Sequence, residues 1–404
     1  MNEATLNFIR AHADDDVRRL ALLGAKDTAI DVPFALNQIA GRQTARRKLP
    51  SWAAHDGIIY PPHLSMEQCS SEQTARYKVG IIGGTGVRGY EGAGMVDLTG
   101  GFGVDFSFLA PHFQKAVYVE RQESLCELAR HNFAVLGINA EVVCADAVDY
   151  LRQMPHADVI YIDPARRDDH GQRTYGISDC TPDVVALRDL LMEKADRVII
   201  KLSPMLDWRK AVNDLGEQYI RAVHIVSVQN ECKELLLVLE ERGERREERD
   251  FSVHCVNDDS VFVTHPLCPQ ASLSPLSSLL SPLNYLYEPN ASIMKAGCFA
   301  EVAEAFDVSQ LAPNSHLFVS PPRPIGRVSW GRVFQIDAVT TLNKRELRTT
   351  LVGISQANIT VRNFPLSVAD LRRRLKLSEG GSTYIFATTL ADKRHVLLVC
   401  RKIG

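Results

Sequence analysis

Long apolar runs are missing from this chain. No stretch of its 404 residues approaches the ~18 consecutive apolar residues of a membrane-crossing helix, so no membrane partner is expected. The opening MNEATLNFIRAHADDD turns acidic where a secretion signal would be apolar. Paired cysteines are missing too. Nine cysteines stand singly and none forms a CxxC pair, which argues against a zinc ribbon or a thioredoxin-type site. No metal is therefore expected, and the odd, scattered set fits a reducing cytoplasm. There is no internal repeat.

What is present is ordinary globular material. The chain is 45% hydrophobic and 24% charged, and its length predicts more than one domain. Charge is unevenly spread. From Pro321 to Gly404 there are 15 Lys and Arg against 5 Asp and Glu, a balance of +10, while the remaining residues carry 31 against 44, or −13. A basic tail on an acidic body points to an anionic partner, with nucleic acid first. A solvated basic face, with RRRLK (372–376) on the outside of a helix, is the bland alternative.

Residues 1–75 read as helices. DDDVRRLALLGA has apolar residues at helical spacing, and Ser70 with Gln73 forms a capping-box pattern. From about 93 to 240 apolar strands alternate with helical segments: MVDL, AVYVE, EVVCAD, VIYID, RVIIKL, IVSV and LLLVLE. That alternation predicts a doubly wound, parallel, Rossmann-like sheet, within a domain spanning 76–245. The charged run EERGERREERD (240–250) reads as a linker or exposed turn. Two short strands around NDDS, a Ser/Pro/Leu-rich stretch and one helix, NASIMKAGCFAEVAEAF, fill a segment 246–323. The last part, 324–404, reads strand, helix, strand, helix, strand, strand, with Gly380-Gly381 as the C-cap of its second helix.

Two glycine-rich loops compete for a cofactor. KVGIIGGTGVRG holds a literal GxGxxG at Gly84, Gly86 and Gly89. A dinucleotide fingerprint must open a helix, and only Tyr90 to Gly94 separates this loop from the next apolar run. The dinucleotide reading is rejected. The second loop, VDLTGGFGVDFSFLA, ends a strand in Asp97, passes Thr99, Gly100, Gly101 and Gly103, and enters a helical segment. Glycines let backbone pass close to a ligand at a strand's carboxyl end. The next strands deliver Glu120, Asp146 and Asp163-Pro164 to the same edge. Asp97 would repel a pyrophosphate and suits a cationic amino group, Glu120 can accept ribose hydroxyls, and Asp146 can take an adenine amino group.

This series, Asp97-Leu-Thr-Gly-Gly-Phe-Gly103, Glu120, Asp146 and Asp163-Pro164-Ala165-Arg166, resembles the class I S-adenosylmethionine-dependent methyltransferases over residues ~70–240. The resemblance implies S-adenosyl-L-methionine as cofactor. Asp97 and the Thr99–Gly103 loop would hold its methionine part, Glu120 its ribose and Asp146 its adenine. Through SMEQCSSEQTARYK, DPARR, YEPNASIMKAG and RNFPL, the chain is similar to methyltransferases with a small ferredoxin-like segment and a C-terminal THUMP-like domain. THUMP-type domains are associated with RNA, which implies a tRNA or rRNA partner. Nothing in the sequence fixes the oligomeric state.

DPAR stands where amino-directed methyltransferases carry Asn/Asp-Pro-Pro-aromatic. The lone pair of an exocyclic amine is delocalised into its ring. A carboxylate and the next backbone carbonyl, here Asp163 and Pro164, can accept its N–H bonds and draw the lone pair toward the methyl group. The fourth position is Arg166, not an aromatic residue. Guanidinium planes stack on bases or bind phosphates, so Arg166, Arg167 and Arg173 are expected to hold RNA, with Tyr175, Tyr161 or Trp208 stacking; arginines paired with Asp168 and Asp169 are the alternative. DPxR also occurs in uracil-C5 methyltransferases, whose cysteine nucleophile falls where this chain has Ser203, with Cys180 the nearest cysteine. C5 chemistry is therefore disfavoured, and the expectation is methylation of a purine amino group in RNA. An RNA-binding or assembly factor that keeps the cofactor without efficient transfer is the main alternative. A small-molecule methyltransferase is the third, and leaves the basic tail without a role.

Overall fold

The computed structural model describes residues 2–23, 29–83, 94–166, 176–241, 251–265, 282, 284–322 and 328–403. The GxGxxG loop, the charged run beyond residue 241 and the Ser/Pro/Leu-rich stretch lie largely or wholly outside them. The strands in chain order are β1 Gly94–Asp97, β2 Lys115–Glu120, β3 Glu141–Cys144, β4 Ala157–Ile162, β5 Ala165–Arg166, β6 Cys180–Thr181, β7 Ala195–Leu202, β8 Ile220–Val228, β9 Glu231–Glu240, β10 Ser252–Asn257, β11 Ser260–Thr264, β12 Tyr285–Pro289, β13 Ser309–Gln310, β14 Phe318–Ser320, β15 Gly331–Thr340, β16 Asn358–Arg362, β17 Thr383–Thr389 and β18 His395–Ile403. By its internal packing the chain divides into two units, 1–221 with 236–247, and 222–235 with 248–404.

A nine-stranded sheet runs in the order β11-β10-β8-β9-β7-β4-β1-β2-β3. Strands β1, β2, β3, β4 and β7 are parallel. The inner ones are near-continuous runs of Val, Ile and Met because helices cover both faces, leaving no polar side to alternate with. Helices Val104–Leu109, Glu123–Leu136, Ala147–Gln153 and Val184–Lys194 make the crossovers. The chain moves outward through β1, β2 and β3, then returns to place β4 on the other side of β1. That reversal makes a switch point, and the crevice at the carboxyl ends of β1 and β4 is where such a sheet binds ligands. The β8–β9 hairpin turns on Gln229 and Asn230, both at positive φ, as a two-residue hairpin favours.

The sequence reading set the strands around NDDS apart from this sheet. In the structure β10 pairs in parallel with β8, and β11 extends the edge. An apolar β8 exposes unpaired backbone unless a further strand covers it. Three local expectations change. Ser71, not Ser70, caps the helix Glu72–Gly83, accepting the Thr74 N–H at 3.2 Å. The stretch after Asn290 forms two helices, Ala291–Ala296 and Phe299–Phe306, broken at Gly297 with φ +67°. Lys376 at φ +56°, not Gly380-Gly381, ends the helix Val368–Leu375, its N–H returning to Arg372 and Arg373.

In the second unit a seven-stranded sheet runs β13-β14-β12-β15-β18-β17-β16. Pairing of β12 with β15 makes the ferredoxin-like and THUMP-like segments one continuous sheet. Leu286, Phe334, Ile336, Phe386 and Leu398 pack one core cluster on it. Buried Glu288 of YEPNASIMKAG receives Arg332, and accepts from Arg362 of RNFPL at 3.1 Å, so two of the stretches that carried the resemblance meet in an ion-pair cluster.

Candidate cofactor and catalytic site

Asp97 ends β1 with its side chain buried. Its Oδ1 accepts the Thr99 N–H at 3.0 Å. Burial dominates its acidity. With the negative charges of Asp105 and Asp163 it outweighs the Thr99 N–H and Lys201, and pushes the carboxyl from an ordinary 3.8 up to about 8. A buried acid of this kind is poised for a cation that would neutralise it.

The loop after Asp97 is clamped onto β2. Gly100 donates to the Val119 carbonyl, and Gly101 donates to Glu120 Oε2 at 3.1 Å while its own carbonyl receives the Tyr118 hydroxyl. A Cβ on Gly100 would lie 2.1 Å from the Tyr118 ring, so the position tolerates only glycine. Gly103, at φ +83°, turns the chain into the helix Val104–Leu109. Glu120 is buried and also takes the Gln122 N–H at 2.9 Å, which leaves each carboxylate oxygen further acceptor capacity. Asp146 caps the helix Ala147–Gln153 through Oδ1, receiving Val148 and Asp149 N–H. Its second oxygen is the one a ligand would use.

Asp163 follows β4 directly, beside the Asp97 loop. Its N–H donates to Thr99 Oγ1 at 2.6 Å, which ties the two strand ends together. Its side chain is 38% exposed, and Lys201 Nζ holds Oδ2 at 2.6 Å. Pro164 is buried. Thus Asp97, the Thr99–Gly103 loop, Glu120, Asp146 and Asp163 do line up along one sheet edge. Arg167, Arg173 and Tyr175 lie outside the described residues, as does the side chain of Arg166; its backbone pairs with Cys180 in the β5–β6 ladder. Two suggested stacking partners are corrected. Tyr161 is buried, with its hydroxyl spent on Asp105 at 2.8 Å, and Trp208 is buried beneath the Arg209 guanidinium. Neither presents a face to a base. Cys180 is likewise buried, and Ser203 accepts the Met205 N–H.

Beneath this edge lie three charged residues, of which sequence reasoning passed over Asp105 and Lys201 and considered Lys78 only for the substrate cleft. Lys78 is fully buried and donates to Asp105 Oδ1 at 2.9 Å. Ser70 and Tyr161 hydroxyls and Lys201 reach Asp105 Oδ2. Burial pushes the Asp105 carboxyl up, but Lys78 and Lys201 more than offset this and hold it well below the usual range. A signal existed: Lys78 sits on the buried stripe of its helix with Ala75 and Ile82, and Lys201 interrupts the apolar run RVIIKL. Among the described residues no group of three or more His, Cys, Asp and Glu is placed to hold a metal, and no helix is long and apolar enough to cross a membrane.

Comparison with known proteins agrees with this fold. A THUMP domain-like family model matches residues 331–402, and a ferredoxin-like domain model matches 285–324. A crystal structure from Porphyromonas gingivalis W83, provisionally assigned as a methyltransferase, is 32% identical with a TM-score of 0.81, the match covering 99% of this chain and 98% of that one. An uncharacterised S-adenosylmethionine-dependent methyltransferase of Mycobacterium tuberculosis H37Rv is 24% identical over 319 residues, 78% of this chain and 80% of its own length. A doubly wound sheet with an acidic carboxyl edge, followed along the chain by a ferredoxin-like segment and a THUMP-like domain, defines the class. The chain belongs to the class I S-adenosylmethionine-dependent methyltransferases with a C-terminal THUMP-like domain, and S-adenosylmethionine is the cofactor of that family.

Proposed function

We propose that this methyltransferase acts on an exocyclic amino group of a purine base in RNA, tRNA or rRNA. The observation that carries the reading is Asp163: a partly exposed carboxylate at the switch-point crevice, braced by Thr99 and Lys201 and followed by Pro164. The residues fit the cofactor. Asp97 is a buried acid suited to the α-ammonium of the methionine part, Glu120 retains acceptor capacity for ribose hydroxyls, and the Asp146 oxygen not engaged in capping is suited to the adenine amino group. Bound S-adenosylmethionine supplies an electrophilic methyl group on a sulfonium. Asp163 and the Pro164 carbonyl accept the amine's N–H bonds, which orients the nitrogen and enriches its lone pair. The second unit supplies the basic surface for the RNA backbone, with Arg373 and Arg374 exposed on the helix Val368–Leu375.

The test is transfer of tritium from labelled S-adenosylmethionine to total RNA from a strain lacking the gene, with Asp163→Ala alongside. Label that disappears in the variant, and nucleoside analysis that finds an N-methylated purine, support the reading. Cofactor binding with no labelled RNA moves the function to an RNA-binding factor or a small-molecule methyltransferase.

A further inference from the structure

A chain of ion pairs runs under the crevice: Lys78 to Asp105, Asp105 to Lys201, Lys201 to Asp163. It draws on the N-terminal helix Glu72–Gly83, the helix after the glycine loop, and the ends of β4 and β7. Two cations face two carboxylates, and Lys201 is only 13% exposed. Buried ion pairs are no cheaper than apolar packing of the same volume, because desolvation consumes most of the attraction. A sheet core does not need them, and this one ends on the partly exposed carboxylate at the edge of the crevice.

We infer that Lys201 is a positioning residue that holds Asp163 as a one-oxygen hydrogen-bond acceptor and thereby selects a neutral amino nitrogen as the nucleophile. The inference rests on the proposed amino-group reading and gives it a cause. The Asp163 backbone is pinned by Thr99 and its Oδ2 by Lys201, which leaves Oδ1 for one substrate N–H. An amine attacks with its own lone pair. The N–CH3 bond forms as the S–CH3 bond breaks, the sulfonium keeps that electron pair and becomes a thioether, and the nitrogen, now cationic, gives its proton to Asp163 and then to water. Proton loss follows attack, so no strong base is required. A hydroxyl or a ring carbon must be activated before or during attack. A carboxylate engaged by an ammonium is poorly suited to that, and the ammonium between Asp163 and Asp105 has no lone pair to offer.

Lys201→Met, Lys201→Gln and Lys201→Arg would be assayed with labelled S-adenosylmethionine and the same RNA, with the methylated nucleoside identified by mass spectrometry. Losing a charge-assisted hydrogen bond that orients the acceptor predicts a kcat about 10–100-fold lower in Lys201→Met, with KM for RNA unchanged. Lys201→Arg restores part of kcat. Lys201→Gln keeps a donor but no charge, and carries the test should Lys201→Met fail to fold. An unchanged kcat in both neutral variants, or a loss that falls on KM for RNA and not on kcat, overturns the positioning role. A 2′-O-methylated or C-methylated nucleoside overturns the selection of an amine while leaving the protein an RNA methyltransferase. No label from the wild type overturns both readings.

Discussion

Cofactor affinity should fall steeply below pH 7, and Asp97 should be the reason. The buried carboxyl holds its proton up to about pH 8, while the α-ammonium proposed to sit against it needs the carboxylate. Binding at lower pH must therefore expel a proton. Each pH unit below 8 then costs about 1.4 kcal/mol, or tenfold in affinity. At pH 6 the constant should be roughly 100-fold weaker than at the plateau, with close to one proton released per molecule bound. The ligand's own α-amino group loses its charge near pH ~8 and sets a separate alkaline limb, so the window from pH 5.5 to 7 is diagnostic. Calorimetry in buffers of different ionisation enthalpy counts the proton directly. In Asp97→Asn the proton release and the slope below pH 7 should both vanish. The same group acts in the opposite sense on the unliganded fold. Its pKa is raised above the unfolded value, so its stabilising contribution is complete below pH ~4 and is lost as pH rises toward 8. The apo protein should thus melt lower at pH 8 than at pH 6, and Asp97→Asn should flatten that trend. A flat cofactor affinity in the wild type, or a slope that survives in Asp97→Asn, would refute the reasoning.

Two further outcomes test the buried network and the basic unit. Lys78→Met leaves buried Asp105 with one cation fewer, and removing one partner of a buried pair costs roughly 3–5 kcal/mol. That should appear as a melting shift on the order of ten degrees by calorimetry, and a shift near zero would mean that Lys201, Ser70 and Tyr161 satisfy Asp105 unaided. Arg373→Glu with Arg374→Glu should weaken binding to total RNA and lower the slope of log affinity against log salt by about 0.7 for each single-strand phosphate that is no longer neutralised. Cofactor affinity should not change. Charge reversal is preferable to truncation near Pro321, because removing β15 would strip β12 of one of its two partner strands and leave it paired with β14 alone.

Much of the sheet could be read along the chain because its information is local. Seven apolar runs separated by amphipathic segments place the strands of the parallel core and its hairpin within a few residues of where they stand. The acids at strand ends were legible for the same reason: a residue that closes a strand is identified by the end of its apolar run. Where two signals were close in sequence, reading failed. Ser70 and Ser71 are both plausible caps, and only Asp105, 35 residues away from Ser70, decides that Ser70 turns inward instead. Tyr161 and Trp208 looked available for stacking because nothing in a linear reading shows what covers them.

Composition, period and strand-end residues thus determined that this is a doubly wound domain with acids along one carboxyl edge, joined to a basic α+β module. Each of those properties depends on residues a few positions apart, where backbone geometry alone sets the outcome. Tertiary structure decided which charges meet. Lys78, Asp105, Asp163 and Lys201 come from well-separated parts of the chain, and their pairing arises only when the helix before β1 packs against the helix after it and β7 settles beside β4. The cost and the effect of a buried charge depend on its neighbours within a few ångströms, and those distances exist only in the folded protein.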